Sequence, residues 1–565
     1  MLTRGRIILM VGLALAFAVI VGWVSIDHYL STTTLVPDTG GEYVEGIVGR
    51  PVAINPVLAI SDADRDICSL VFSGLTRIDD QGRLMPDLAR SWEISEDNLS
   101  YTFHLRDDAL WQDGEPFSAD DVVFTIGLVQ SAEFPGPITL RNSWLGVTVE
   151  KTDALTVVFT LQDPYAPFIE NTILGILPRH RLENVAAGSL SDDIFNREPV
   201  GTGPFSFGKI VQTGQEVEAV VLEANLKYYE KAPYLESVRF RFFDDSQSMI
   251  TALRQHSMEG IHLVTPDIAR EVSEIRNLAQ VSSSIPRYQA VFFNTQGKAF
   301  LQEVAVRQAL SLSIDRQRII DEAVGGQAII ADGPLTQASW AYTPPSETVS
   351  FDLDRARTLL SDAGWSDEDQ DGILEKDGEK LSFNLLSDDA PERVQAALLI
   401  ADMWKQVGVS VEVRLFGVGT FIDEYLRKRD FDAVLFGQSL SWDPDIYAYW
   451  HSTQVSDPGL NISSYSNPKV DKLLEDARRL VKVEDRQKKY AEIQTVIRAD
   501  APAAFLFIPN YVYAVRDTIH EVKAVILFRP SDRFKDIVQW YEREKRVKKV
   551  VEKTPAVIDD PSTLL

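Results

Sequence analysis

The sequence predicts an α/β protein of two or more lobes, preceded by a membrane-embedded helix. Three observations carry this. The chain has 565 residues, more than one hydrophobic core accommodates as it grows. Residues 381 to 437 alternate strand and helix patterns, the signature of a parallel sheet covered by helices. Near the N-terminus about twenty uncharged residues run together, the length that crosses a bilayer core.

That first element follows Arg4 and Arg6 and reads "IILMVGLALAFAVIVGWVSI". The arginines place residues 1–6 in the cytoplasm, residues 7–26 as a transmembrane signal anchor and the remaining chain outside, by the positive-inside tendency. Signal-peptide cleavage is the rival reading, because Ala14, Ala16 and Ala18 supply small-residue pairs. They lie inside the apolar run, and no polar cleavage region follows, so the uncleaved anchor is preferred. Residues 27–41, with "TTTLVPDTGGE", read as a polar linker. Cys68, the single cysteine, lies too far along for a lipid anchor and reads as a small buried residue.

Composition narrows the function classes. A hydrophobic fraction of 45% and an aromatic fraction of 10% suit well-packed globular lobes. A formal charge of -27 repels phosphate backbones and argues against a nucleic-acid partner. One cysteine excludes an intrachain disulfide and an all-cysteine metal site.

The first few hundred residues are strand-rich: "LSYTFHLR", "LTVVFTL", "EAVVLEA" and "SVRFRFF" alternate apolar and polar residues. From Leu381 the pattern becomes β-α-β-α-β. "LSFNLL" is a strand, and "PERVQAALLIADMWKQVG" a helix with Val394, Leu398, Trp404 and Val407 near one face and Gly408 as its stop. "VSVEVRLF" is the next strand. Thr420 and Asp423 fit a capping box for "FIDEYLRK", and "DAVLFG" is a short buried strand. The cluster "QSLSWDPDIYAYW" begins where that strand ends, and ligands of open α/β sheets sit beyond the strands' carboxyl ends.

No nucleophile elbow, zinc-protease motif, Walker loop or dinucleotide fingerprint occurs. His451 reads as a hydrogen-bonded structural histidine. Asp443 and Asp445 are a carboxylate pair that would serve glycoside hydrolysis only at the right separation. Ser118 and Asp121 fit a capping box rather than a catalytic cluster. In "DEDQDGILEKDGE", Asp367, Asp369, Asp371 and Gly372 match positions one, three, five and six of a calcium loop, with Glu375 at position nine. Position twelve is Gly378 instead of glutamate, so a structural Ca2+ site and a solvated acidic turn both stand. "YEREKRVKKVVEK" reads as a basic helix running into a tail.

Together the motifs resemble family 5 of the extracytoplasmic solute-binding proteins, the oligopeptide, dipeptide and nickel receptors of ABC importers. The matching pieces occur in family order: "LARSWEISEDNLSYTFHLRDDALWQDGEPFSADDVVFT", "PVGTGPFSF", "FFNTQ" with "VRQALSLSIDRQRII", "ARTLLSDAGW", "DPDIYAYWHSTQ", and "NPKVDKLLEDARRL" leading to "APAAFLFIPNYVYAV". The resemblance implies a two-lobed periplasmic-binding-protein-like (type II) fold with an extra β-rich subdomain in lobe one. It divides the chain into lobe one at 42–76, 200–290 and 511–545, the subdomain at 77–199, lobe two at 291–510 and a tail at 546–565. It also implies hinge closure over a ligand, with extended peptides held by strand addition. Tyr288, Gln289, Phe292 and Asn294, on a presumed crossing strand, and Trp442, Asp443, Asp445 and Tyr447, from the opposite lobe, are the candidate cleft residues.

One position departs from the pattern. Oligopeptide receptors of this family place an aspartate a few residues before the proline of this region, to pair with the peptide amine, and here Leu440 stands there. Asp443 or Asp445 takes that role, or the ligand has no free amine at that spot.

The expectation is a monomeric, single-pass, membrane-anchored receptor that captures a peptide or similar polar solute outside the cell and passes it to ABC permease subunits with ATPases. It requires no cofactor beyond the candidate structural Ca2+ and performs no chemistry. The alternatives are a secreted carboxylate-dependent hydrolase and a sensory or envelope-assembly protein reusing the fold.

Overall fold

A computed structural model describes residues 4–214, 216–346 and 350–549. Most of its strands join one twelve-stranded sheet. Across it run Ser410–Phe416, Ser382–Asp388, Ala433–Ser439, Arg287–Phe293, Ala503–Arg516, Gly260–Ile261, Glu42–Val48, Ser237–Phe243, Glu216–Ala224 and Phe205–Thr213. Leu278–Ser284 and Ala328–Ile330 pair additionally with Ala503–Arg516.

The strand Ala503–Arg516 serves both halves. Residues Ala503 to Phe507 pair with Arg287–Phe293, whereas Asn510 to Arg516 pair with Leu278–Ser284. It is buried along its length except at Pro509 and Asn510, which are half-buried. Proline brings no N–H to a ladder, and the change from one half to the other falls beside Pro509, between the residues paired with Arg287–Phe293 and those paired with Leu278–Ser284. A second crossing, Ile285–Pro286, joins Leu278–Ser284 to Arg287–Phe293.

Alternation explains the core of the second half. Val291 and Phe293 enter one apolar cluster, with Trp404, Leu385 and Leu310, while Tyr288, Ala290 and Phe292 enter another, with Trp450, Tyr490 and Phe421. A strand buried on both faces needs this continuous apolar run. Ser382–Asp388 pairs in parallel with both Ser410–Phe416 and Ala433–Ser439, giving the β-α-β-α-β unit its parallel sheet. The intervening helix Pro391–Lys405 buries Ala396, Leu399, Ile400, Met403 and Trp404; Leu398, expected on that face, is exposed. Thr420 is no N-cap either. Its backbone is already helical, because the turn starts at Val418 and continues as a π-helical turn, Phe421–Leu426.

In the first half, Ala89–Ile94, Ser100–Leu105, Thr156–Thr160 and Thr148–Asp153 form a separate four-stranded antiparallel sheet. Its inward residues Tyr101, Phe103, Val157 and Phe159 pack in the same cluster as Tyr43, Phe240 and Trp540. The Asp121 carboxylate accepts the Ser118 backbone N–H at 2.9 Å, which is the expected cap, and also that of Arg179 at 2.9 Å. Cys68 is buried and unpaired.

The segment after 511 is fastened by a buried ionic cluster. The Arg533 guanidinium, with no exposed side-chain surface, donates to Glu45 at 3.0 Å and to Asp66 at 2.9 Å, and Tyr43 donates to Glu45 at 2.6 Å. Burial pushes Asp66 up to about 6, although Arg533 pulls the other way.

Two terminal expectations are corrected. Residues 33–38 are not a free linker, and the described part of the basic stretch, residues 541–549, is not a helix: Thr33–Asp38 and Arg543–Lys548 form an antiparallel ribbon, Thr33 opposite Lys548 and Asp38 opposite Arg543. Local charge favours neither form strongly, and pairing across more than five hundred residues decides it. The N-terminal helix runs over Arg4–Thr32, beyond the expected 7–26. Of the expected tail at 546–565, residues 550–565 lie outside the described residues.

Substituting Arg533 with methionine leaves two buried carboxylates without a cation. Denaturant unfolding of R533M should show a loss of about 3–5 kcal/mol.

Candidate ligand-binding site

The two halves touch where the loop after strand Ala433–Ser439 crosses toward the segment Tyr165–Ile173. The loop is pinned at its start. Leu440 donates its N–H to the Pro286 carbonyl at 2.6 Å, tying it to a crossing, and Tyr449 Oη donates to the Ser439 carbonyl at 2.6 Å.

Two arginines hold the loop from lobe-two helices. Arg486, on Val483–Asp500, donates both terminal nitrogens to Asp443, each at 2.6 Å. Asp443 is only 2% exposed, and its guanidinium partner also lies against the rings of Trp340 and Tyr490. Burial raises the Asp443 pKa despite Arg486. Arg478, on Pro468–Arg479, donates to Asp445 at 3.0 Å and stacks over Tyr447 at 4.2 Å and Tyr165 at 5.0 Å. Bidentate and stacked geometry is what distinguishes arginine from lysine at such positions.

Hydrogen bonds span the halves beside the Arg478–Tyr165 stack. Trp442 donates its indole N–H to the Gly82 carbonyl at 2.7 Å, and Tyr165 Oη donates to Asp445 at 3.4 Å. Glu170 accepts the backbone N–H groups of Trp442 and Asp443, both at 3.2 Å. Its carboxyl is pushed up to about 7, first by burial and then by the neighbouring Asp443 charge.

The candidate residues therefore divide. Trp442, Asp443, Asp445 and Tyr447 come together at this seam. Tyr288 and Phe292 lie in the lobe-two core, and Tyr288 bonds to Gln438. Asn294 donates to the carbonyls of Arg429 and Phe431 within lobe two. Gln289, on the strand that leaves the crossing, is buried against Gly437 with its Oε1 lacking a hydrogen-bond partner, as do the Ser283 and Ser284 hydroxyls on the strand that enters it. His451 accepts from the Thr453 N–H at 3.1 Å and stacks on Tyr447. Asp367, Asp369, Asp371 and Glu375 gather elsewhere in lobe two, with their carboxylates within 4.8 Å of one another.

Sequence reading missed Glu170, Tyr165, Arg478 and Arg486. For Arg486 a signal existed: it extends the buried stripe Tyr490, Ile493 and Ile497 by one turn. A cavity of about 370 Å³ opens on lobe one beside Arg50, Arg239 and Arg241. Its arginines are already engaged: Arg50 pairs with Glu216 and Asp244, Arg239 with Glu42, and Arg241 bonds to Ser257.

Residues 83–458, about two thirds of the chain, match the description of the bacterial extracellular solute-binding proteins, family 5. The chain belongs to this family. Among family 5 relatives, the oligopeptide-binding protein AppA of Bacillus subtilis is 30% identical over 512 residues, covering 89% of this chain and 92% of AppA. The solved structure of AppA with a nonapeptide superimposes with a TM-score of 0.66, covering 90% of this chain and 99% of that one. NikZ from Campylobacter jejuni, solved with Ni(L-His), is 29% identical with a TM-score of 0.69, covering 88% and 99%. The two-lobed architecture of family 5 is thus shared across nearly the whole described chain.

A carboxyl whose pKa is higher at the seam than in water takes up protons as the seam forms. Contact between the lobes should therefore strengthen as pH falls through 7 toward the ordinary value of 4.5 and weaken as pH rises. Scattering radii across this range should show it, and Glu170→Gln should flatten the dependence.

Proposed function

We propose that this protein is a membrane-anchored receptor that captures peptides outside the cell and delivers them to an ABC permease with its ATPases. The observation that carries the reading is family 5 membership with AppA-like identity over nearly the full length. The seam supports it. A loop pinned to one crossing and latched on the other half through Glu170, Trp442 and Tyr165 is the arrangement hinge closure needs.

Asp443 and Asp445 support recognition over hydrolysis. Asp443 gives both oxygens to Arg486, and Asp445 is paired with Arg478. A general acid and base pair needs one carboxyl protonated and both facing substrate. Here both carboxylates are engaged by arginines of their own lobe instead of being free to face a substrate.

The engagement of Asp443 also bears on the ligand. Leu440 offers no carboxylate, Asp443 gives both oxygens to Arg486, and Asp445 accepts from Arg478 and from the Tyr447 N–H, so neither aspartate is left as a dedicated partner for the peptide amine. Main-chain pairing then supplies most of the hold, and the partnerless Gln289, Ser283 and Ser284 beside the crossing are polar groups a peptide backbone or water satisfies. The helix Arg4–Thr32 supports the anchor: its window Leu15–Thr32 has a mean hydropathy of 1.3, and none of that window is buried against the protein.

Calorimetry against short peptides should give binding together with a smaller scattering radius. N-acetylation should change Kd by less than about tenfold, or 1.4 kcal/mol. No binding across a broad peptide library would remove the peptide reading, and a hundredfold loss on acetylation would restore a dedicated amine partner. Alkaline carbonate should leave the full-length protein in the membrane pellet; release into the wash means the helix is not an anchor.

A further inference from the structure

Between the helix Leu353–Asp362 and the strand Ser382–Asp388, the chain makes a loop closed by a hairpin of Glu375–Lys376 and Glu379–Lys380. Three exposed aspartates each use one oxygen to fix the loop. Asp367 accepts from the Gly372 N–H at 3.1 Å, Asp369 from Asp371 at 3.1 Å and Asp371 from Ile373 at 2.9 Å. Their carboxylates and that of Glu375 then converge, with one oxygen from each inside a 4.8 Å span.

Glu375 differs from the aspartates. It is 6% exposed, held by paired hydrogen bonds between its backbone and that of Ser366 at 3.0 and 2.7 Å. Its Oε2 accepts the Glu368 N–H at 3.0 Å, but its Oε1, aimed into the cluster, accepts no hydrogen bond. Lys380 is the nearest cation. It pairs with Asp369 at 2.9 Å and with Asp371, and stands 3.4 Å from Glu375 Oε1 without hydrogen-bond alignment. One ammonium thus serves three of the four carboxylates, and Asp367 is outside its reach. A buried carboxylate oxygen without a donor is costly, and a divalent cation supplies what the ammonium does not.

We propose that this loop is a calcium site in which Asp367, Asp369, Asp371 and Glu375 Oε1 ligate one Ca2+ and displace the Lys380 ammonium. Oxygen ligands at alternate positions before a glycine turn suit a cation that takes six to eight ligands with variable geometry, whereas Mg2+ demands a strict octahedron and keeps its water. Glu375 takes over the anchoring role of the missing twelfth-position glutamate, reaching in from the hairpin. The site is structural. Leu374 donates to the Gly408 carbonyl at 2.8 Å, and Lys376 pairs with Glu303 at 2.8 Å, so the ion fastens the hairpin to the lobe-two body.

The full-length protein, stripped with chelator, is titrated with terbium. Trp365, two residues before Asp367, should sensitise its luminescence, and Ca2+ should quench the signal by displacement. Millimolar Ca2+ should raise the thermal midpoint by several degrees, with Mg2+ well behind, because an ion bound only by the folded state stabilises it. Asp369→Asn, on the exposed rim, should weaken Ca2+ about tenfold or more, and Lys380→Met should tighten it by removing the competing charge. Glu375→Gln should abolish binding; should that variant fail to fold, Asp369→Asn with Asp371→Asn reports the same loss. An unmoved midpoint in both the wild type and Lys380→Met, or terbium emission unchanged in the Asp369→Asn/Asp371→Asn variant, overturns the site.

Discussion

Fourteen residues, Ala503–Arg516, carry main-chain hydrogen bonds to strands of both lobes. This shared ladder constrains everything else. A domain usually meets its neighbour through side chains across a linker; here one strand of a continuous sheet carries ladders of both lobes, which fixes their register. The half-buried Pro509 and Asn510 mark where its partner strand changes. Leu440 hangs the seam loop from the Pro286 carbonyl on the other crossing, so bending there carries the loop's aspartates and aromatics with it.

The seam shows how an acidic protein keeps two facing surfaces compatible. With a formal charge of -27, two lobes closing on each other gather like charge. Arg486 and Arg478 neutralise Asp443 and Asp445 from within lobe two, and the aromatic rings of Trp340, Tyr447 and Tyr165 cover the guanidinium faces. Glu170 has no arginine paired to it among the described residues at the seam, and burial, then the Asp443 charge, raises its pKa. Desolvation is tolerated there because two backbone N–H groups meet its oxygens.

Elements set by local pattern were legible. The alternation in "LTVVFTL" and "SVRFRFF", the strand–helix rhythm after Leu381 and the aspartate spacing at 367, 369 and 371 all express interactions within about a dozen residues. What depended on distant partners was not. Arg478 resembles a solvated helix face until Asp445 arrives from a loop earlier in the chain, and Arg486, although it extends a buried stripe, has no visible partner until Asp443 does. Tyr288 and Phe292 were expected at the cleft because their strand crosses, yet both point into the core, since side chains on a strand alternate and that face is covered by Trp450 and Phe505. Thr420 had the right spacing for a cap, and the helix simply began two residues earlier.

The terminal ribbon has a mechanical meaning. Thr33 follows the helix Arg4–Thr32 without a gap, and each residue to Asp38 is paired with one of Arg543–Lys548. A single strand of that length behaves as a flexible coil; a paired one is a stem roughly 20 Å long at 3.4 Å per residue. At its far end Gly40 and Gly41 adopt positive φ, and a Cβ on either would collide with Arg543 or Glu542. The joint is filled, not loose. On the proposed reading, with the helix in a bilayer, such a stem would trade search volume for bearing, confining the lobes to a shallow cap in which a permease would meet them at high effective concentration.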